Sequence, residues 1–217
     1  MIAWLLLPAA YLLGSVSFAY LAGRAKGIDL REHGSRNLGA TNVGRVLGKG
    51  WGFTVFFADL AKGLLPVLLA RWLADRAPGH ELGSLPVLTA AAAILGHSFT
   101  CFHGFKGGKA VATSLGVLIG LVLQVAAICL ATWIMVWAIS YALLRQGASN
   151  AVGPASVVAA LVMPFAHLAT FKDPWGLLNL PLTLFLFLVS ALVIVRHRSN
   201  IARMFGHGPP PPPPTPG

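Results

Sequence analysis

The chain has 217 residues, of which 56% are apolar and only 10% charged, and its mean hydropathy is +0.75. A soluble domain carries about 25% charged residues, so this composition excludes a soluble globular protein and predicts an all-α, polytopic integral membrane protein. The net charge of +10 does not point to nucleic acid, because the basic residues anchor the ends of apolar runs and no nucleic-acid-binding module is present.

Seven apolar segments are expected to cross the membrane. In chain order they are Ile2–Ala22, Trp51–Leu73, Ser84–Cys101, Ala110–Leu123, Gln124–Leu144, Asn150–Phe171 and Gly176–Val195. The first lacks a basic leading region, so it reads as a helix of the protein rather than a signal peptide. The fourth and fifth form one run of 35 residues. As a single helix it would be about 52 Å long against a hydrocarbon core of about 30 Å, so it must turn, near Gly116, Gly120 or Gln124. Glycines at 14, 63, 116 and 120 are expected to let helices pack closely.

Charge orients the bundle. With the N-terminus outside, the cytoplasmic loops and tail hold Arg24, Lys26, Arg31, Arg36, Arg45, Lys49, Lys106, Lys109, Arg145, Arg196, Arg198 and Arg203. The opposite side holds Arg71, Arg76 and Lys172, offset by Asp75, Glu81 and Asp173. Twelve against three is a strong positive-inside bias. Residues 1–205 read as one membrane domain and 206–217 as a proline-rich tail. Cys101 and Cys129 show neither a disulfide framework nor metal spacing, and no metal or cofactor is implied.

Three polar stretches interrupt this apolar pattern, all on the cytoplasmic side. From Gly34 to Arg45, glycines at 34, 39 and 44 are interleaved with Ser35, Asn37, Thr41 and Asn42. Such a loop suits close approach to an anion, and Arg45 offers a bidentate fork for phosphate oxygens. It reads about equally well as an ordinary polar loop. The second stretch begins at Gly96-His97 and ends in Lys106-Gly107-Gly108-Lys109, directly before an apolar run. A helix N-terminus there would favour an anion; two interfacial anchors are the plainer alternative. It is not a nucleotide P-loop, since Gly104 to Lys109 is one residue short and Ala110 follows the lysine. The third, Arg196 to Arg203, closes the last segment and places His197 and Asn200 on one helix face, with Arg198 beside them. Inside the second segment, Asp59 and Lys62 are spaced to neutralise one another. They read as an ion pair lining the site wall or as a substrate contact. His167, in the sixth segment, reads as an interhelical polar residue.

In this order, the patterns Gly-Ser-x-Asn-x-Gly-Ala-Thr-Asn-x-x-Arg at 34–45, Gly-His-x-Phe…Phe-Lys-Gly-Gly-Lys at 96–109 and His-Arg-x-Asn-Ile-x-Arg at 197–203 resemble the acyl-phosphate-dependent glycerol-3-phosphate acyltransferases of bacteria, the PlsY family. The resemblance implies transfer of a fatty acyl group from acyl phosphate to glycerol 3-phosphate at the bacterial inner membrane, giving lysophosphatidic acid and phosphate. It implies catalytic roles for Ser35, Arg45, Lys109, His197 and Asn200. Around them it implies binding roles for Gly34, Asn37, Gly39, Thr41, Asn42, His97, Lys106, Gly107, Gly108, Arg198 and Arg203, and for Ser149 with a one-residue shift. The implied partners are the two substrates, membrane lipid and the enzyme that supplies acyl phosphate.

The chain departs from the family pattern in places. Ser149 follows Arg145 where the family has a Ser-x-x-Ser pair, Thr100 stands where proline is common, and Gly206-His-Gly208 lacks the family's glutamate. The three stretches are expected to converge into one basic pocket while the acyl chain stays in the bilayer. The competing reading is a small transporter of a phosphorylated solute. It would require related halves with a site near midplane, which the sequence does not display. No histidine has an aspartate five residues on, the base pair used by other glycerol-phosphate acyltransferases.

Overall fold

The computed structural model describes residues 2–78, 82–142 and 147–205; Glu81, Arg145 and the tail 206–217 lie outside the described residues. All seven apolar segments fold as helices, and among the described residues there is no strand. The chain forms two compact helical units, one ending at Leu121 and the other starting at Val122.

The first unit contains α1 (Leu6–Ser15), α2 (Phe18–Ala25), α3 (Ala40–Val46), α4 (Lys49–Ala74), α5 (Leu85–Ser98) and α6 (Val111–Leu121). The first apolar segment is broken between α1 and α2, where Val16 and Ser17 adopt extended backbone. Ser17 caps α2 by accepting the Tyr20 amide at 3.2 Å. Small residues set the helix spacing, as expected without a hydrophobic force between helices in lipid. A methyl on Gly14 or Gly96 would run into the Ala93 or Tyr11 carbonyl across the α1–α5 contact. Gly63 and Gly116 do the same for α4 and α6, meeting the Thr113 and Leu60 carbonyls, and Gly120 packs on Val67. All four glycines expected at helix contacts are found there.

Among the described residues, five stretches are long and apolar enough to cross a membrane: Ile2–Ala25, Lys49–Ala74, Leu85–His103, Leu123–Ala142 and Ala148–Thr170. A sixth is reached if Leu180–Arg196 is joined to Arg198–Met204 across a 61° bend. The seventh expected crossing is not a full-length helix. The turn required in residues 110–144 falls at Val122, which leaves α6 with 11 residues, about 16 Å of helix. Arg71 on α4 donates to the Gly120 carbonyl at 2.7 Å, so the C-terminal end of this short helix meets a cation, as its dipole favours.

The second unit contains α7 (Leu123–Ala142), α8 (Ala148–Thr170), α9 (Leu180–Arg196) and α10 (Arg198–Met204). Neighbouring long helices run antiparallel and exchange polar contacts. The Trp133 indole donates to Ser156 at 3.1 Å and the Trp137 indole to the Ala148 carbonyl at 3.0 Å. The Ser190 hydroxyl donates to the Ala160 carbonyl at 2.6 Å. His167 is fully buried, with Nε2 2.9 Å from Thr183 Oγ1, the interhelical role expected of it. These contacts satisfy polar groups where lipid offers no partner, although His167 Nδ1 makes no hydrogen bond among the described residues.

Candidate functional site

The first polar stretch folds as a loop, 26–39, followed by α3. Asn42 is buried and braces the loop from inside. Its Oδ1 accepts the Ser35 amide at 2.7 Å, and its Nδ2 donates to the carbonyls of Leu30 at 3.2 Å and His33 at 3.1 Å. Gly34 and Arg36 are left-handed, with φ of +58° each. A side chain on Gly34 would overlap the Asn42 amide. Gly39 caps α3 in extended conformation, its amide bonded to the Asn37 carbonyl at 3.0 Å. Thr41 then falls in the first turn of α3 and Arg45 in the last, both half-buried like Ser35 and Asn37. The loop rests on an apolar cluster of Ala19, Ala22, Leu30, Leu38, Val43 and Val55. On its outer edge Asp29 pairs with Arg31 at 2.6 Å. The hydrogen bonds from the Arg31 guanidinium and amide hold the Asp29 carboxyl down at about 2.

The second stretch is held differently. Gly104 and Phe105 are both left-handed (φ +59°) and turn the chain back under α5. There the amides of Gly107 and Gly108 donate to the carbonyls of Ser98 and His97, each at 3.1 Å. A methyl on Gly107 would strike the His97 carbonyl, and one on Gly108 the His97 ring. Ala110 is buried and left-handed (φ +59°), and its carbonyl accepts the Ser114 amide at 2.7 Å to start α6. Lys109 is therefore held between a loop pinned to α5 and the first turn of α6. It is half-buried, whereas Lys106 is exposed. The two lysines, alike in sequence, differ in placement, and Lys109 is the one built into the structure.

Asp59 and Lys62 form a buried ion pair on α4, 2.8 Å apart. Lys62 Nζ also donates to the Val16 carbonyl at 2.7 Å, the group freed by the break between α1 and α2. His97 is buried, with Nδ1 3.2 Å from Thr113 Oγ1 and 3.7 Å from Asp59 Oδ1. Sequence reading missed Val16 and Thr113. Only Ser15 and Ser17 inside an apolar run hinted at the helix break.

In the second unit, His197 occupies the junction of α9 and α10 and is buried. Its Nδ1 lies 2.8 Å from the Val193 carbonyl. A carbonyl only accepts, so Nδ1 carries the proton and Nε2 holds the lone pair of the neutral ring. Asn200, one turn on, packs its amide against Gly153 of α8, where a side chain would displace it. Ser149 is half-buried in the first turn of α8, Arg198 is exposed, and Arg203 folds back on the Ser199 carbonyl at 3.1 Å.

Residues 4–207 match the family described as glycerol-3-phosphate acyltransferase. The glycerol-3-phosphate acyltransferase of Desulforudis audaxviator is 45% identical over 201 residues, covering 92% of this chain and 90% of its own. That of Gloeobacter violaceus is 43% identical over 198 residues, covering 90% and 88%. Among solved structures, the glycerol 3-phosphate form of PlsY, an integral membrane glycerol 3-phosphate acyltransferase, superposes with a TM-score of 0.78 at 35% identity, covering 96% of this chain and 95% of that one. Its lysophosphatidic acid form gives 0.75 at 34% identity.

Proposed function

Because the chain belongs to the glycerol-3-phosphate acyltransferase family, we propose that it acylates the 1-hydroxyl of glycerol 3-phosphate with acyl phosphate as donor, releasing lysophosphatidic acid and inorganic phosphate. The observation that carries this reading is the pair of braced glycine loops that present Arg45 and Lys109. Both are half-buried cations on backbone that glycines and left-handed residues hold in place.

The chemistry asks little of a nucleophile-activating pair. An acyl phosphate is a mixed anhydride whose phosphate is already a good leaving group. As charge develops on that phosphate, fixed cations stabilise it, usually the largest catalytic term. Arg45 supplies a bidentate fork and Lys109 a compact charge, while Ser35, Asn37 and Thr41 offer hydroxyl and amide contacts for oxygens. Holding the glycerol hydroxyl against the acyl carbon supplies proximity. By the family resemblance His197 is one candidate to receive the hydroxyl proton, and a substrate phosphate oxygen is the competing acceptor. Asn200 contributes a hydrogen bond from the same turn. The amides of Gly107 and Gly108 and of Asn42 belong to the scaffold, so these residues support binding through the shape of their loops.

The same reading keeps the N-terminus outside and the motifs at the cytoplasmic face of the bacterial inner membrane, supported by the twelve-to-three charge bias.

The donor is tested by incubating purified protein and radiolabelled glycerol 3-phosphate with acyl phosphate, acyl-coenzyme A or acyl carrier protein. Lysophosphatidic acid formed only from acyl phosphate supports the reading. Equal rates from a thioester would refute the donor assignment and leave the family membership standing.

A further inference from the structure

Four elements of the first unit meet at one buried polar cluster, and none of its side chains lies on a motif loop. Lys62 on α4 bonds the carbonyl that the α1–α2 break exposes at Val16 and pairs with Asp59 one turn back. His97 on α5 stands between Asp59 and α6, its Nδ1 3.2 Å from Thr113 Oγ1 and 3.7 Å from Asp59 Oδ1, beyond hydrogen-bond reach of the carboxylate. The backbone carbonyl of the same histidine accepts the Gly108 amide, and its ring lies against Gly108. Gly108 and Thr113 flank Lys109 in sequence. Asp59, Lys62 and Thr113 are all at most 3% exposed.

We infer that His97, Asp59 and Thr113 are positioning residues for Lys109, acting through the loop and helix that flank it rather than by touching substrate. The inference rests on the proposed reading of Lys109 as a phosphate cation. Its physical basis is register. Gly63 and Gly116 bring α4 and α6 into direct backbone contact, with Gly120 packed on the Val67 side chain, and glycine contacts alone allow sliding along the helix axis. The His97 imidazole, bonded to α6 and facing the α4 carboxylate, removes that freedom. A shift of about 1 Å at a catalytic group costs on the order of a hundredfold in rate. Lys62 neutralises Asp59 and ties the cluster to the first span, because a lone buried carboxylate would not be tolerated at this depth.

The test is a double-mutant cycle on acyl transfer, with thermal stability in detergent measured for every variant. His97→Gln and Thr113→Val should each lower kcat by about 10- to 100-fold, and Thr113→Ser, which keeps the hydroxyl, should recover most of the loss. In a Lys109→Ala background, the same substitutions should cost less than about twofold more, because residues acting through one group are not additive. Losses that multiply in that background would overturn the positioning role, as would a Thr113→Val enzyme with parental kcat and an unaltered melting temperature. A fully active Lys109→Ala enzyme would instead defeat the reading of Lys109, and the positioning role with it.

Discussion

The two glycine-rich loops of the first unit look alike in sequence and are built on opposite plans. The loop ahead of α3 is held by one side chain. Asn42 turns inward and ties down Leu30, His33 and Ser35 together. In the loop ahead of α6, Thr100 accepts the Phe102 amide at 3.3 Å and donates to the Ser15 carbonyl at 2.7 Å, and the segment next to Lys109 is held through its backbone. Its backbone pairs with the last carbonyls of α5, and the pairing is possible only because Gly107 and Gly108 carry no side chain where His97 stands. The first loop therefore depends on an added amide, the second on absent methyls. Each strategy fails to a different substitution.

The largest effect should come from breaking the second plan. Gly107→Ala places a methyl against the His97 carbonyl, and because both partners are backbone neither can swing aside. The loop must detach from α5 and carry Lys109 with it. Acyl transfer should fall by at least about a hundredfold, while stability drops only by the amount that local overpacking costs, about 1–3 kcal/mol. Retention of near-parental activity would show that the α5 pairing does not place Lys109.

Breaking the first plan should affect stability more than rate. Asn42→Ala removes three hydrogen bonds at about 0.5–1.5 kcal/mol each, so denaturation should detect a loss of about 2–4 kcal/mol. Activity should fall about tenfold at a temperature where the variant remains folded. A loss of activity as deep as that of Gly107→Ala, with unaltered stability, would instead mark Asn42 as a direct substrate contact.

These contrasts also explain what the sequence could tell. The glycine, asparagine and hydroxyl content of 34–45 and the Lys-Gly-Gly-Lys run mark both loops, because such backbone needs those residue types wherever it occurs. Which polar side chain points inward is a tertiary fact. Asn37 and Asn42 are indistinguishable as letters, and only the fold turns the second inward, where it is buried against Leu30, His33 and Ser35. Length alone requires a break in residues 110–144, bracketed by Gly116, Gly120 and Gln124, and the helix breaks inside that bracket, at Val122; Gly116 and Gly120 themselves are glycines of a close helix contact. The Lys62 charge was legible. Its acceptor at Val16 was not, since two serines inside an otherwise apolar run are only a faint sign of a helix break.

The smallest effect is expected where the second loop is already strained. Left-handed backbone at Ala110 costs about 1–2 kcal/mol. Ala110→Gly relieves that cost, and glycine's greater unfolded-state freedom together with the lost buried methyl opposes the gain by about the same amount. Its melting temperature should stay within about 2–4 °C of the parent. Ala110→Val, branched at a position with positive φ, should be clearly less stable. Equal stability of the two would remove the left-handed residue from the account.

Both plans exist, in this account, to hold one cation each against phosphate. The most direct measurement is the rate of acyl transfer from acyl phosphate to glycerol 3-phosphate by Arg45→Ala, Arg45→Lys and Lys109→Ala, each confirmed folded by its melting curve. Both alanine variants should lose at least about a hundredfold, the scale for removing one charge-stabilising donor, and lysine at position 45 should recover little because it lacks the bidentate fork. Folded Arg45→Ala and Lys109→Ala enzymes with full activity would contradict the phosphate clamp outright.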